Sequence, residues 1–187
     1  MLGYRAGLGH APAMHPQRRL FLAIQLALGP AVLGSYALCF ALWPDAVARM
    51  WGGVPEAARG VYTGWMFVAA AGYAVFTPAL FLHADPERAR PAFGVGYEAI
   101  HALYAVLLVG SILWMPLTKL HLDGSLPFAA VALDLWLVAA ASLGLLATTF
   151  RLTPPLPRAW RLPARLGAAA FCVQTVLLDA LAWPALW

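Results

Sequence analysis

The chain has 187 residues, 63% hydrophobic and 11% charged, with a formal net charge of +4. A soluble domain of this size is roughly 45–50% apolar and about 25% charged, so the composition excludes a water-solvated surface and points to a single all-α membrane domain. The twelve basic residues form no run or stripe that could grip a nucleic-acid backbone, and the two cysteines, Cys39 and Cys172, are too far apart for a zinc or CxxC pattern.

Residues 1–19 read as a Gly-rich, weakly basic tail. The apolar run that follows is longer than the roughly 7–15 residues of a signal-peptide core, so it reads as a retained first span, Leu20–Trp43. Val47, Met50, Trp51 and Val54 then recur at helical spacing and predict a short amphipathic turn on the outer surface, limited by Gly52-Gly53. The remaining spans are expected at Val61–His83, Phe93–Met115, Pro127–Phe150 and Leu166–Ala182, all within one five-helix domain over 20–187. Proline and charge mark their ends, as in Ala84-Asp85-Pro86-Glu87-Arg88 and Thr153-Pro154-Pro155. Pro30 and Pro78 lie inside spans and predict kinks. Gly29, Gly34, Gly64, Gly72, Gly94 and Gly96 predict close helix packing. Trp43, Trp51, Trp65, Trp114, Trp183 and Trp187 fall near the predicted outer ends, where interfacial belts form.

Five spans place Arg5, Arg18, Arg19, Arg88, Arg90, Arg151, Arg158, Arg161 and Arg165 on one side and Arg49, Arg59 and Lys119 on the other. The excess of basic residues predicts an inside N-terminus and an outside C-terminus, in a bacterial inner membrane or a eukaryotic endomembrane.

Three of the eight acids, Glu98, Asp134 and Asp179, fall within spans together with His101. An ionisable group at a helix centre costs about 2.5–3.5 kcal/mol on insertion scales, so each needs a partner, water or a proton. Counting a rise of roughly 1.5 Å per residue puts Gln25, Thr77 and Glu98 nearest the inner face. Tyr73, His101 and Gln174 come next, and Asp134 and Asp179 lie deepest from that face, with Tyr104 just below them. Tyr97, Glu98, His101 and Tyr104 share one face of the third span. Glu98 and His101, at i and i+3, form a candidate acid–base pair for catalysis, or a structural pair tying helices together. Asp134 and Asp179 have no basic partner within a span; if adjacent, they would share a proton. Gln174 and Asp179 are five residues apart, about 140° on an α-helix, and are expected to meet different neighbours.

His83 and His121 read as surface residues. A two-histidine haem needs two facing histidines at one depth, which His83 and His101 do not provide. EF-hand, Walker, HExxH and GxSxG patterns are missing, so no metal is assigned and the cofactor is left unknown. The leading expectation is an intramembrane pocket formed by Glu98, His101, Asp134, Tyr73, Tyr97, Tyr104, Gln25, Gln174 and Asp179. It would bind, or also convert, a small apolar ligand such as a lipid, sterol, isoprenoid or pigment. The alternatives are a proton-linked transporter or transporter subunit, and a structural subunit of a membrane complex. A homodimer would supply the repeated half that a transporter of this size lacks.

Overall fold

The computed structural model describes residues 14–92 and 96–187. Most of the expected tail, the first residues of the expected third span and Gly94 lie outside the described residues. The rest is helical: α1 (Pro16–Leu42), α2 (Pro44–Arg49), α3 (Glu56–His83), α4 (Glu98–Leu122), α5 (Phe128–Arg151) and α6 (Arg158–Cys172). A ten-residue π-helix, Val173–Ala182, and a final turn, α7 (Trp183–Ala185), continue α6 as one rod. The rod Arg158–Ala185 and helices α1, α3, α4 and α5 are each long and apolar enough to cross a bilayer. The protein is therefore a multi-pass membrane bundle.

Four spans start elsewhere than hydropathy suggests: α1 at Pro16 instead of Leu20, α3 at Glu56 instead of Val61, and α4 and the last span for local reasons. Pro91 cannot donate to a helix and Gly96 disfavours one, so α4 begins at Glu98 instead of residue 93. It then runs on through Pro116 to Leu122, until Gly124 turns the chain with φ +76. The last span starts eight residues before the expected Leu166, directly after Pro157, and takes Arg161 and Arg165 into its first turns. Arg161 Nε donates to the Leu156 carbonyl at 2.6 Å, and Arg165 lies 4.5 Å over the Phe150 ring.

α1 packs on α4, α4 on α5, α5 on α6 and the π-helix, and α6 on α3. The backbones of α3 and α6 approach closely, and a side-chain carbon added at Gly167 would lie 2.7 Å from the Gly72 carbonyl oxygen. Gly72 thus packs as expected. Gly29, Gly34 and Gly64 do not: each faces open space, with no atom within 4 Å of an added carbon. Around the outside, Leu33 and Phe67 are more than 70% exposed, and Leu26, Leu162 and Trp136 are exposed with them, as lipid-facing side chains should be.

Both ends of the bundle are tied. At the N-terminal end, Arg90 and Thr153 exchange backbone hydrogen bonds, and Arg18 Nη2 donates to the Leu82 carbonyl at 3.1 Å. At the other end, only Val47 of the expected amphipathic turn lies in the six-residue α2; Met50 and Val54 are buried instead of on the surface, in the segment after it, which folds onto the C-terminus. Gly53 N donates to the Leu186 carbonyl at 2.8 Å, and Trp183 Nε1 donates to the Met50 carbonyl at 2.9 Å. The tryptophans here are not a belt alone. Trp114, Trp183 and Trp187 pack with Phe128 into one aromatic cap, and His121 joins it, accepting from Trp187 Nε1 at 3.2 Å. His121 is thus half-buried and bonded, not a free surface residue.

Candidate functional site

The polar side chains fall into two clusters instead of one shared layer. The first lies in the N-terminal half of the bundle, where α1, α3 and α4 meet through side chains. Tyr104 donates to Thr77 Oγ1 at 2.9 Å, and Tyr73 donates to Gln25 Oε1. Phe21, Phe76 and Phe171 surround the two tyrosine rings, at centroid distances of 5.0 to 6.3 Å. The cluster is largely self-satisfied. Each hydroxyl has a partner inside an aromatic wall, although the Gln25 amide nitrogen is buried without one.

Glu98 and His101 do not pair. The late start of α4 makes Glu98 its first residue, exposed at the bundle end, where its carboxylate folds back over Gly96 and favours the positive helix terminus. His101, one turn on, is buried against Phe21 and Tyr97, and its Nε2 is 3.0 Å from the Gln17 carbonyl of α1. That bond commits the imidazole to tying α1 to α4, and leaves the expected acid–base geometry without its acid. Tyr97 is buried beside it with its hydroxyl unpartnered. Replacing Glu98 by glutamine is therefore expected to lower stability by less than about 1 kcal/mol, the usual size of an end-of-helix charge effect. Unfolding of both proteins in detergent measures this, and a loss of several kcal/mol would restore the pair.

The second cluster lies in the C-terminal half and centres on the π-helix. There Gln174 Nε2 donates to Asp179 Oδ1 at 2.7 Å. The expected divergence of these two side chains fails for a geometric reason. A π-helix closes its bonds from i to i+5, so residues five apart stack on one face, as residues four apart do on an α-helix. The spacing of two polar residues in an apolar span was the only sequence signal, and it is ambiguous until the helix type is known. Thr175 anchors the same segment to α5 through Ser142, with the hydroxyls 2.7 Å apart.

Asp134 of α5 is buried opposite Gly110 of α4. A carbon added at Gly110 would lie 3.1 Å from Asp134 Oδ1, so glycine there makes room for the carboxyl. α1 contributes Tyr36, whose hydroxyl accepts from Trp114 Nε1 at 3.0 Å and keeps its own proton to donate. Tyr62 of α3 is buried in the same half, packed with Ala180 and Trp183. Every spanning rod thus places a polar or aromatic side chain in this half of the bundle. Tyr36, Tyr62 and Trp114 were not legible as members, because aromatic residues near span ends normally serve the interface.

Two atoms of the cluster are buried without any hydrogen-bond partner: Asp134 Oδ2 and Gln174 Oε1. Both are acceptors. Buried polar atoms are nearly always paired, because leaving one unmade costs about 1–3 kcal/mol. Among the described residues no ion pair involves Asp134 or Asp179, and no three His, Cys, Asp or Glu side chains gather as a metal set. Two open, apolar grooves on the outer surface of α4 and α5, about 390 and 760 Å³, are lined by residues such as Leu103, Leu137, Leu143 and Gly144, and by none of the polar candidates. No family model, curated protein or solved structure matches this chain.

Proposed function

We propose that the protein binds a small lipophilic molecule within the bundle and holds its polar end at Asp134, Gln174, Asp179 and Tyr36. The observation that carries this reading is the pair of unpartnered acceptors, Asp134 Oδ2 and Gln174 Oε1, beside a π-helix. π-Helical turns are rare and occur frequently at functional sites. An apolar body with a few convergent polar groups is the common makeup of a ligand site. A purely structural subunit would turn its polar side chains outward to meet partners. Here Asp134 and Gln174 are buried within one chain, which favours a ligand. A proton relay would use the same carboxyls, but requires a path of polar groups along the bundle. Among the described residues no hydrogen bond joins the first cluster to the second.

The test is extraction of the protein purified in mild detergent, followed by mass spectrometry of the released small molecules. The wild type is expected to carry a lipophilic species near one per chain, and the Asp134→Leu/Gln174→Leu protein to lose it while staying folded. Identical extracts from two folded proteins would refute the reading.

The proposed orientation sets the N-terminus inside. Counted along the sequence, five crossings assign nine basic residues to one side against three to the other. The contacts between Arg90 and Thr153, and between Gly53 and Leu186, put the alternate loops together at opposite ends, as five crossings require. Fusions of a cytoplasm-active reporter are expected to report at the N-terminus and stay silent at the C-terminus. Activity at both would contradict five crossings.

A further inference from the structure

We propose that the two grooves on the outer face of α4 and α5 hold an anionic phospholipid, with an acyl chain along the helices and the phosphate on Arg151. The site is separate from the buried polar side chains, none of which lines either groove.

Leu137, Ala140, Gly144, Ala147 and Arg151 all line the grooves and recur on one face of α5. Small side chains in the middle of this stripe leave a trough, and a cation ends it. Ala99, Ala102 and Val106 of α4 form the facing wall. The two grooves, about 390 and 760 Å³, meet at Ala140 and Gly144, and the larger one reaches Phe150 and Arg151. From Leu137 to Arg151 the helix rises roughly 21 Å, at about 1.5 Å per residue. That is about half of the roughly 40–45 Å that a bilayer measures with its headgroups. The trough therefore matches one leaflet, with its charged end at headgroup depth.

Charge selects the occupant. Arg151 is exposed and, among the described residues, joins no ion pair. Arg165 lies 4.5 Å over the ring of Phe150, which lines the same end, so a second guanidinium stands there. A planar guanidinium matches a phosphate through two parallel hydrogen bonds. Glu98, the acid that precedes Ala99 on the facing wall, keeps its carboxylate over Gly96. A second copy of the chain fits this face less well. Copies in one bilayer share an orientation, so a two-fold axis stands normal to the membrane and sets the same patch against itself at equal depth. Arg151 would then meet its own counterpart, like charge against like charge.

The test is native mass spectrometry of the purified protein, titrated with dioleoyl phosphatidylglycerol or with dioleoyl phosphatidylcholine. The first bound phosphatidylglycerol is expected to bind about fivefold more tightly than the first phosphatidylcholine, the factor one basic residue near a membrane surface contributes. Arg151→Gln should abolish that preference. Arg158→Gln, which removes another exposed guanidinium that lines neither groove, should leave it intact. Ala140→Phe/Ala147→Phe fills the trough and should weaken binding of both lipids. Should that filled protein not fold, the two arginine variants decide. Equal affinity of the two lipids for the wild type would overturn the proposal. So would a preference that survives in Arg151→Gln, or one that Arg158→Gln removes equally. A dimer in the same spectra that disappears on filling the trough would give this face to a second copy and overturn it as well.

Discussion

Replacing Trp183 by alanine is expected to destabilise the protein by about 3–5 kcal/mol, the range for emptying a buried tryptophan site. Trp183 is only 6% exposed, in a core with Val54, Tyr62, Val131, Leu135 and Ala180. Its ring stands 4.7 Å from Trp187 and 5.9 Å from both Trp114 and Phe128. Its indole also donates to the carbonyl of Met50, a buried residue in the segment after α2. Loss of the ring opens a cavity where that segment, α4, α5 and the chain end converge, and removes the donor for a carbonyl that has left water. Trp183→Phe separates the two effects. It keeps most of the apolar area and leaves the carbonyl unpaired, for which about 1–3 kcal/mol is expected. Trp136 is the control, since it is 52% exposed on the lipid side of α5; its alanine variant should lose far less. Unfolding in detergent measures all three. Equal losses for Trp183→Ala and Trp136→Ala would mean that the aromatic cap does not hold this end together.

The five spans were legible because bilayer crossing imposes a coarse rule: about 20 apolar residues with few charges. The fourth span shows how well this works, expected over 127–150 and found as Phe128–Arg151. Span ends obey local chemistry instead. A proline followed by glycines delays α4 although the stretch is apolar, and that shift moved Glu98 from the bundle interior to an exposed helix end. Conversely, Arg161 and Arg165 discouraged a helix that their long stems tolerate. The candidate site was legible as a set of residue types, not as a geometry. Gln174 and Asp179 were both singled out, but α-helical counting separated them; only the change of helix type after Cys172 joins them. Gly29, Gly34 and Gly64 look the same in sequence as Gly72. Which of them meets another backbone depends on which face each neighbouring helix takes, and no local pattern carries that information.

Replacing Gly72 by valine is expected to destabilise the bundle by about 3 kcal/mol, at the upper end for overpacking. The obstacle is backbone. The side-chain carbon would run into the Gly167 carbonyl of α6, which belongs to a hydrogen-bonded helix and cannot rotate away as a flexible side chain would. Relief requires α3 and α6 to move apart along their whole contact. That contact also seats Trp65, whose indole donates to the Ala170 carbonyl at 3.1 Å, and positions Tyr73, the next residue, toward Gln25. It fixes the rod whose π-helical part carries Gln174 and Asp179. Gly167→Val should act similarly, since its added carbon would meet the Gly72 carbonyl. Because the two changes strain one contact, the double variant should lose less than the sum of the single ones. Gly64→Val on the same helix is the comparison. No atom stands within 4 Å of its added carbon, so it should be nearly neutral, and Gly64→Ala should stabilise by up to about 1 kcal/mol through helix propensity. Unfolding midpoints of the five proteins in one detergent decide it: equal effects of Gly72→Val and Gly64→Val would show that α3 does not approach α6 at Gly72.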